Sequence, residues 1–118
     1  MKRTLNKETV SKVGQEVLIK GWINARRNMG KIVFCDMRDR SGILQVVMVP
    51  AELEEASKNI LSELRPEYVL EIRGVVNERG EKQKNPNQVT GNVEVLAKEI
   101  KILGAAETLP YDLEAELH

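Results

Sequence analysis

The chain's one phenylalanine, Phe34, stands in the run Lys31-Ile32-Val33-Phe34-Cys35-Asp36-Met37. Read as a strand, this run alternates. Val33, Cys35 and Met37 share one face, and Phe34, Asp36 and Arg38 share the other. The first face is core. An apolar ring on the charged face is unusual for a purely structural design. Two readings are open: Phe34 packs beneath a loop, or its ring is a platform for a nucleobase, a contact worth roughly 1 to 3 kcal/mol per base. Charge bears on the choice. Between Lys20 and Arg40 the cations Lys20, Arg26, Arg27, Lys31, Arg38 and Arg40 meet only Asp36 and Asp39. An arginine fork donates two parallel hydrogen bonds to a phosphate or a base edge, although solvated surface also carries such runs. Gln45, among Leu44, Val46 and Val47, both donates and accepts, as reading a base edge requires; an edge strand facing water accounts for it equally. The polar stretch Glu78 to Asn92, with Arg79, Lys82, Lys84, Gly80 and Gly91, is either a ligand-binding rim or a plain hairpin loop.

Other chemistries are excluded by what is scarce. Cys35 is the single cysteine, which leaves no intramolecular disulfide and no cysteine-based zinc site, and the single histidine, His118, is the last residue. A histidine acid/base pair and a multi-histidine metal site are therefore excluded. No phosphate loop, Gly-x-Gly-x-x-Gly or Gly-x-Ser-x-Gly motif occurs, and no carboxylate pair stands out as an acid/base couple. Eighteen Lys and Arg balance eighteen Asp and Glu, so a nucleic-acid reading rests on where the charge sits and not on its total. With 118 residues, 42% hydrophobic and 31% charged, one domain with a core is expected. No apolar stretch approaches the roughly 20 residues of a spanning helix, and the start Met1-Lys2-Arg3-Thr4-Leu5-Asn6-Lys7 has no signal-peptide core. The chain is expected to be cytoplasmic.

These side chains need elements to hold them. Val17 to Asn24, rich in β-branched and aromatic residues, predicts a first strand before the turn signal Asn28-Met29-Gly30. Lys31 to Met37 and Ile43 to Val49 predict the next two, joined through Asp39-Arg40-Ser41-Gly42. After Pro50, the spacing of Leu53, Ala56, Ile60 and Leu64 predicts one amphipathic helix, stopped at Arg65-Pro66. Tyr68 to Val76 predicts a fourth strand, and a fifth begins near Asn92. Its apolar positions switch parity between Val95 and Ile100, which predicts a bulge. The order matches an all-β class with one helix: a five-stranded antiparallel OB-fold barrel with the helix between the third and fourth strands. An α+β sandwich of the same elements is the alternative. Residues 1-104 form the domain, and the acidic stretch 105-118 reads as a linker.

The run Gly21 to Gly30, followed by Ile32 to Val47, resembles the N-terminal anticodon-binding domain of bacterial-type aspartyl-tRNA synthetase. The likeness continues through Arg65, Tyr68, Arg73 to Val76, Asn85-Pro86-Asn87, Thr90 to Ala97 and Leu109-Pro110. It implies an OB barrel that grips the anticodon stem-loop of the aspartate tRNA, whose unstacked bases are read one by one. Carried over, Phe34 would stack on the middle anticodon base, and Gln45 and Arg27 would hydrogen-bond to anticodon bases. Glu94 would accept from the guanine at the first anticodon position, and Arg79 and Arg26 would serve the backbone or loop. The chain departs from the family at Ala25, Asn28, Asn77 and Asn92, each trimming the polar rim. The resemblance further implies that ATP and magnesium belong to a catalytic part absent from this chain, so the chain alone is not expected to aminoacylate. The parent enzyme is expected to be a homodimer and the isolated domain a monomer. The sister domains of asparaginyl and lysyl enzymes, a free-standing single-strand binder and a protein-interaction domain are the alternatives.

Overall fold

The computed structural model describes residues 2–80, 84–85 and 90–104. Five strands, β1 (Glu16–Met29), β2 (Ile32–Asp39), β3 (Gly42–Met48), β4 (Val69–Glu78) and β5 (Val93–Gly104), close into a barrel in the order β1-β2-β3-β5-β4. The expected sequence of three strands, a helical segment and two strands holds. Four pairings are antiparallel, but the closing pairing, β3 with β5, is parallel, with Gln45 opposite Glu94 and Val46 opposite Val95. That pairing corrects a wholly antiparallel sheet: β5 turns back beside β4 and so meets β3 running the same way.

Inward-facing residues alternate as their period of two requires. Ile19 and Ile23 from β1, Cys35 and Met37 from β2, Leu44 and Val46 from β3 and Ile72 and Val95 from the last two strands are fully buried. Gly74 takes an inward position because the barrel leaves it no room: a Cβ there would strike the Leu96 carbonyl oxygen and lie 2.7 Å from Val95 Cγ1.

Two of the three register shifts among the described strands set the faces of the outer residues. In β5 the register shifts opposite Arg73 and Gly74, so Lys98 has no Cα partner between Ala97 and Glu99. This is the parity switch expected between Val95 and Ile100. In β1, which runs five residues further than the expected strand end at Asn24, the register shifts between Ile23 and Ala25. Asn24 is the extra residue, and beyond it odd-numbered side chains face outward.

The expected single helix is broken into three pieces. A 3-10 turn at Pro50–Glu52 and another at Leu61–Glu63 flank a helix α1 of only six residues, Glu55–Ile60. Leu53 and Leu64 are buried as expected, but Ala56 is exposed and Ser57 is buried in its place. The tighter 3-10 turns shift the contact face, and the Ser57 hydroxyl accepts the Ile100 N–H at 2.8 Å. A further 3-10 turn, Asn6–Ser11, was not predicted by the polar N-terminal residues. It is tied down by Asn6, whose backbone N–H donates to Asp39 Oδ2 at 2.8 Å and whose amide donates to the Met37 and Gly42 carbonyls at 3.0 Å. The expected linker at 105-118, with His118, and Lys82 of the polar loop lie outside the described residues.

Candidate functional site

Ladder pairing carries a row of polar residues around the outside of the barrel. Asp36 on β2 stands opposite Gln45 on β3, Gln45 opposite Glu94 on β5, and Glu94 opposite Asn77 on β4. Beside this row, Arg27 on β1 is the partner of Phe34 on β2. Arg27 reaches this face only because the Asn24 bulge reverses the parity of β1. Without it, Arg27 would continue the inward series of Ile19 and Ile23.

These side chains hold one another in place. Arg27 forks onto Asp36, with Nη1 donating to Oδ2 at 2.9 Å and Nη2 to Oδ1 at 3.3 Å, and Nη2 also donates to Gln45 Oε1 at 3.1 Å. Gln45 Nε2 in turn donates to Glu94 Oε1 at 2.9 Å. Gln45 is 9% exposed in an interior strand of the closed sheet, so the edge-strand reading of this amide does not hold. Its buried polarity is satisfied on both ends. The Asp36 carboxylate, through its hydrogen bond, raises the Arg27 pKa and keeps the guanidinium charged.

The Phe34 ring is half-buried, and it lines a groove of about 300 Å³ with Arg27, Gln45 and Met29. Met29, at the tip of the β1–β2 hairpin, is 63% exposed. Neither Met29 nor Asp36 was singled out from the sequence. Asp36 shares parity with Phe34, which was the available signal; Met29 had none, since it was read as part of a turn.

Arg79 lies at the rim of the same face but is nearly buried, at 6% exposure, with Nε donating to the Val93 carbonyl at 3.0 Å. Burial lowers its pKa, and the charges of Glu94 and Asp36 oppose that shift. Close by, the Thr90 hydroxyl donates to the Ile43 carbonyl, which ties the entry of β5 to β3. The structure thus brings Arg27, Phe34, Gln45 and Glu94 together, with Arg79 at the edge. Arg26 stands apart. Its ladder partner is Cys35, and its Nη1 donates to the Leu61 and Leu64 carbonyls at 2.8 and 2.7 Å.

The arrangement suits a planar heterocycle. An aromatic face sits beside a cation, an amide that donates and accepts, and a carboxylate, all already oriented. Among the described residues no group of three or more His, Cys, Asp or Glu side chains could hold a metal ion.

Residues 17–103 match the tRNA anticodon family model of OB-fold nucleic acid binding domains. The chain is 41% identical over 119 residues to an Aspartate--tRNA(Asp/Asn) ligase of Syntrophomonas wolfei subsp. wolfei, an alignment covering 99% of this chain and 20% of the relative. It is 46% identical over 104 residues to an Aspartate--tRNA ligase of Staphylococcus aureus, covering 88% of this chain and 18% of the relative. Among solved structures, the aspartyl tRNA synthetase of Entamoeba histolytica superposes with a TM-score of 0.74 at 18% identity, over 93% of this chain and 23% of that one, a likeness of fold. The chain spans about a fifth of the length of these curated relatives.

Proposed function

The chain belongs to the tRNA anticodon family of OB-fold nucleic acid binding domains, and from that membership we propose that it is the anticodon-reading module of an aspartate-tRNA ligase, acting by binding. The observation that carries the proposal is the half-buried Phe34 ring set beside the hydrogen-bonded series Asp36, Arg27, Gln45 and Glu94. Phe34 is the stacking platform for the middle anticodon base. Arg27 and Gln45 hydrogen-bond to base edges, and the Glu94 carboxylate accepts from the donors of a guanine at the first position. Before RNA arrives these groups satisfy one another. Binding exchanges protein hydrogen bonds for RNA ones, and a wrong base leaves buried partners unpaired. That asymmetry is the source of discrimination, because an unsatisfied buried donor or acceptor costs roughly 1 to 3 kcal/mol.

Arg79 and Arg26 serve the backbone or loop. In the longer enzyme the module raises specificity by presenting the acceptor end only of tRNAs whose anticodon fits. ATP and magnesium belong to the catalytic part of that enzyme, and its homodimer forms there, so we take the isolated module to be a monomer. Its place is the cytoplasm; among the described residues no helix is long and apolar enough to cross a membrane.

The test is binding to an aspartate-type anticodon stem-loop and to one with the middle base changed, at two salt concentrations, with Phe34→Ala alongside. The expected penalty is roughly 1 to 3 kcal/mol for the changed base and for the lost ring, with affinity falling as salt rises. Equal affinity for both loops would replace base reading with general single-strand binding. Phe34→Ala with unchanged affinity would return the ring to a packing role.

A further inference from the structure

On the other face of the β1–β2 hairpin lies a larger groove, about 480 Å³, lined by Arg26, Asn28, Ser62, Leu64, Arg65 and Pro66. Its chemistry is one-sided. Two guanidiniums, an amide and a hydroxyl line it, and no carboxylate does. Arg26 Nη1 and Arg65 Nη1 both donate to the same oxygen, the Leu64 carbonyl, at 2.7 and 3.1 Å. The two Nη1 atoms therefore stand no further apart than these two bonds laid end to end. Each fork is also anchored a second time, Arg26 on the Leu61 carbonyl at 2.8 Å and Arg65 on the Ser62 carbonyl at 2.8 Å.

Such a pair is costly if it serves only to hold a turn. Like charges at this separation repel, and neither arginine forms an ion pair with a carboxylate among the described residues. The contrast within the molecule is plain: Arg73 is ringed by Glu16, Glu54 and Glu99 at 3.0, 2.8 and 3.2 Å, and Arg27 is forked onto Asp36. Among the described residues, Arg26 Nη2 and Arg65 Nε and Nη2 make no hydrogen bond. Two fixed cations with open donors and no counter-charge are what a phosphate oxygen requires. Pro66 stiffens one wall, so the donors are held before a ligand arrives.

We propose that this groove is a phosphate site occupied by a phosphodiester of the RNA backbone, on the face of the hairpin opposite the bases. The proposal rests on the RNA-binding reading above. It assigns Arg65 and Arg26 to affinity, and Phe34, Arg27, Gln45 and Glu94 to discrimination. A phosphate contact fixes register and carries no sequence information.

The test compares the wild-type chain with Arg65→Gln and Arg26→Gln across salt from about 50 to about 200 mM. Arg65 is exposed, so Arg65→Gln should leave the melting temperature unchanged. It should weaken the matched and the altered stem-loop by the same factor, about three- to tenfold, and reduce the slope of log affinity against log salt by about one. Arg26→Gln should lose the same slope with a lower melting temperature, since its bonds tie β1 to the distant Leu61 and Leu64 carbonyls, whereas those of Arg65 stay within its own turn. An unchanged slope for Arg65→Gln overturns the proposal. So does a changed ratio between the two loops, which would make Arg65 a base reader. If the wild-type chain binds neither loop, the anticodon reading fails on its own, and inorganic phosphate decides the groove. Shifts of the Arg26 and Arg65 Nε–H resonances that vanish in Arg65→Gln would support a phosphate site fed by free anion, and no shift would overturn it.

Discussion

Cys35 sits between Phe34 and Asp36 and faces the opposite way, into the core at 0% exposure. Burial pushes its thiol up to about 11, from an ordinary value of 9.0. A raised pKa means that the folded chain keeps a proton the unfolded chain releases. The stability this contributes is fully present below about pH 9 and is lost as pH rises toward 11. Between those values Cys35→Ala should lose stability less steeply than the wild type, with the gap closing by about 2 kcal/mol, read from urea midpoints at pH 8 and near pH 11. At neutral pH the native thiol should resist alkylation until the barrel is unfolded. Matching alkaline slopes for the two chains would exclude it. At this scale the faces of Phe34, Asp36 and Gln45 were legible, because a period of two settles them within one strand. The hydrogen bonds that join them were not, because Gln45 and Glu94 lie on strands whose pairing no local pattern records.

The two bulges show why one element was legible and its counterpart was not. In β5 the apolar series Val93, Val95 and Ala97 gives way to Ile100, so the parity change is written in side chains. In β1 the extra residue falls in Asn24, Ala25, Arg26 and Arg27, which has no apolar alternation to interrupt, and the switch that turns Arg27 outward leaves no trace. The helical segment misled for a related reason. Its apolar spacing suits an unbroken helix, while the tertiary demand of Ile100 for the Ser57 hydroxyl selects another face. Close approach of β4 and β5 makes a sharper claim. Gly74→Ala must push Cβ into the Leu96 carbonyl and the Val95 side chain, so it should cost about 2 to 4 kcal/mol, seen as a lower urea midpoint with an unchanged slope. A midpoint within error of the wild type would mean that the two strands part without penalty.

For the molecule as a whole, strand order and the barrel were legible and the direction of the closing pair was not, since nothing local to β3 or β5 records that the two strands meet running the same way. The parallel pairing of β3 with β5 removes the edge that β3 would otherwise present, and with it the unpaired N–H and C=O groups that recruit a second chain. Sedimentation of the isolated module at about 100 µM should therefore give a monomer; a tight dimer would mean that some other surface associates. The same pairing has a consequence for when the module becomes competent. Gln45 and Glu94 are separated by 49 residues, and Glu94 comes from β5, the last of the described strands. A chain with β1 to β3 assembled already carries the ring, the fork and the amide, but it lacks the carboxylate and the strand that holds Gln45 in place. RNA that grips both strands would act as a clasp on the seam, favouring the closed form by mass action. Under the proposed function this face is a checkpoint on its own folding: an RNA that needs Glu94 selects finished barrels from unfinished ones.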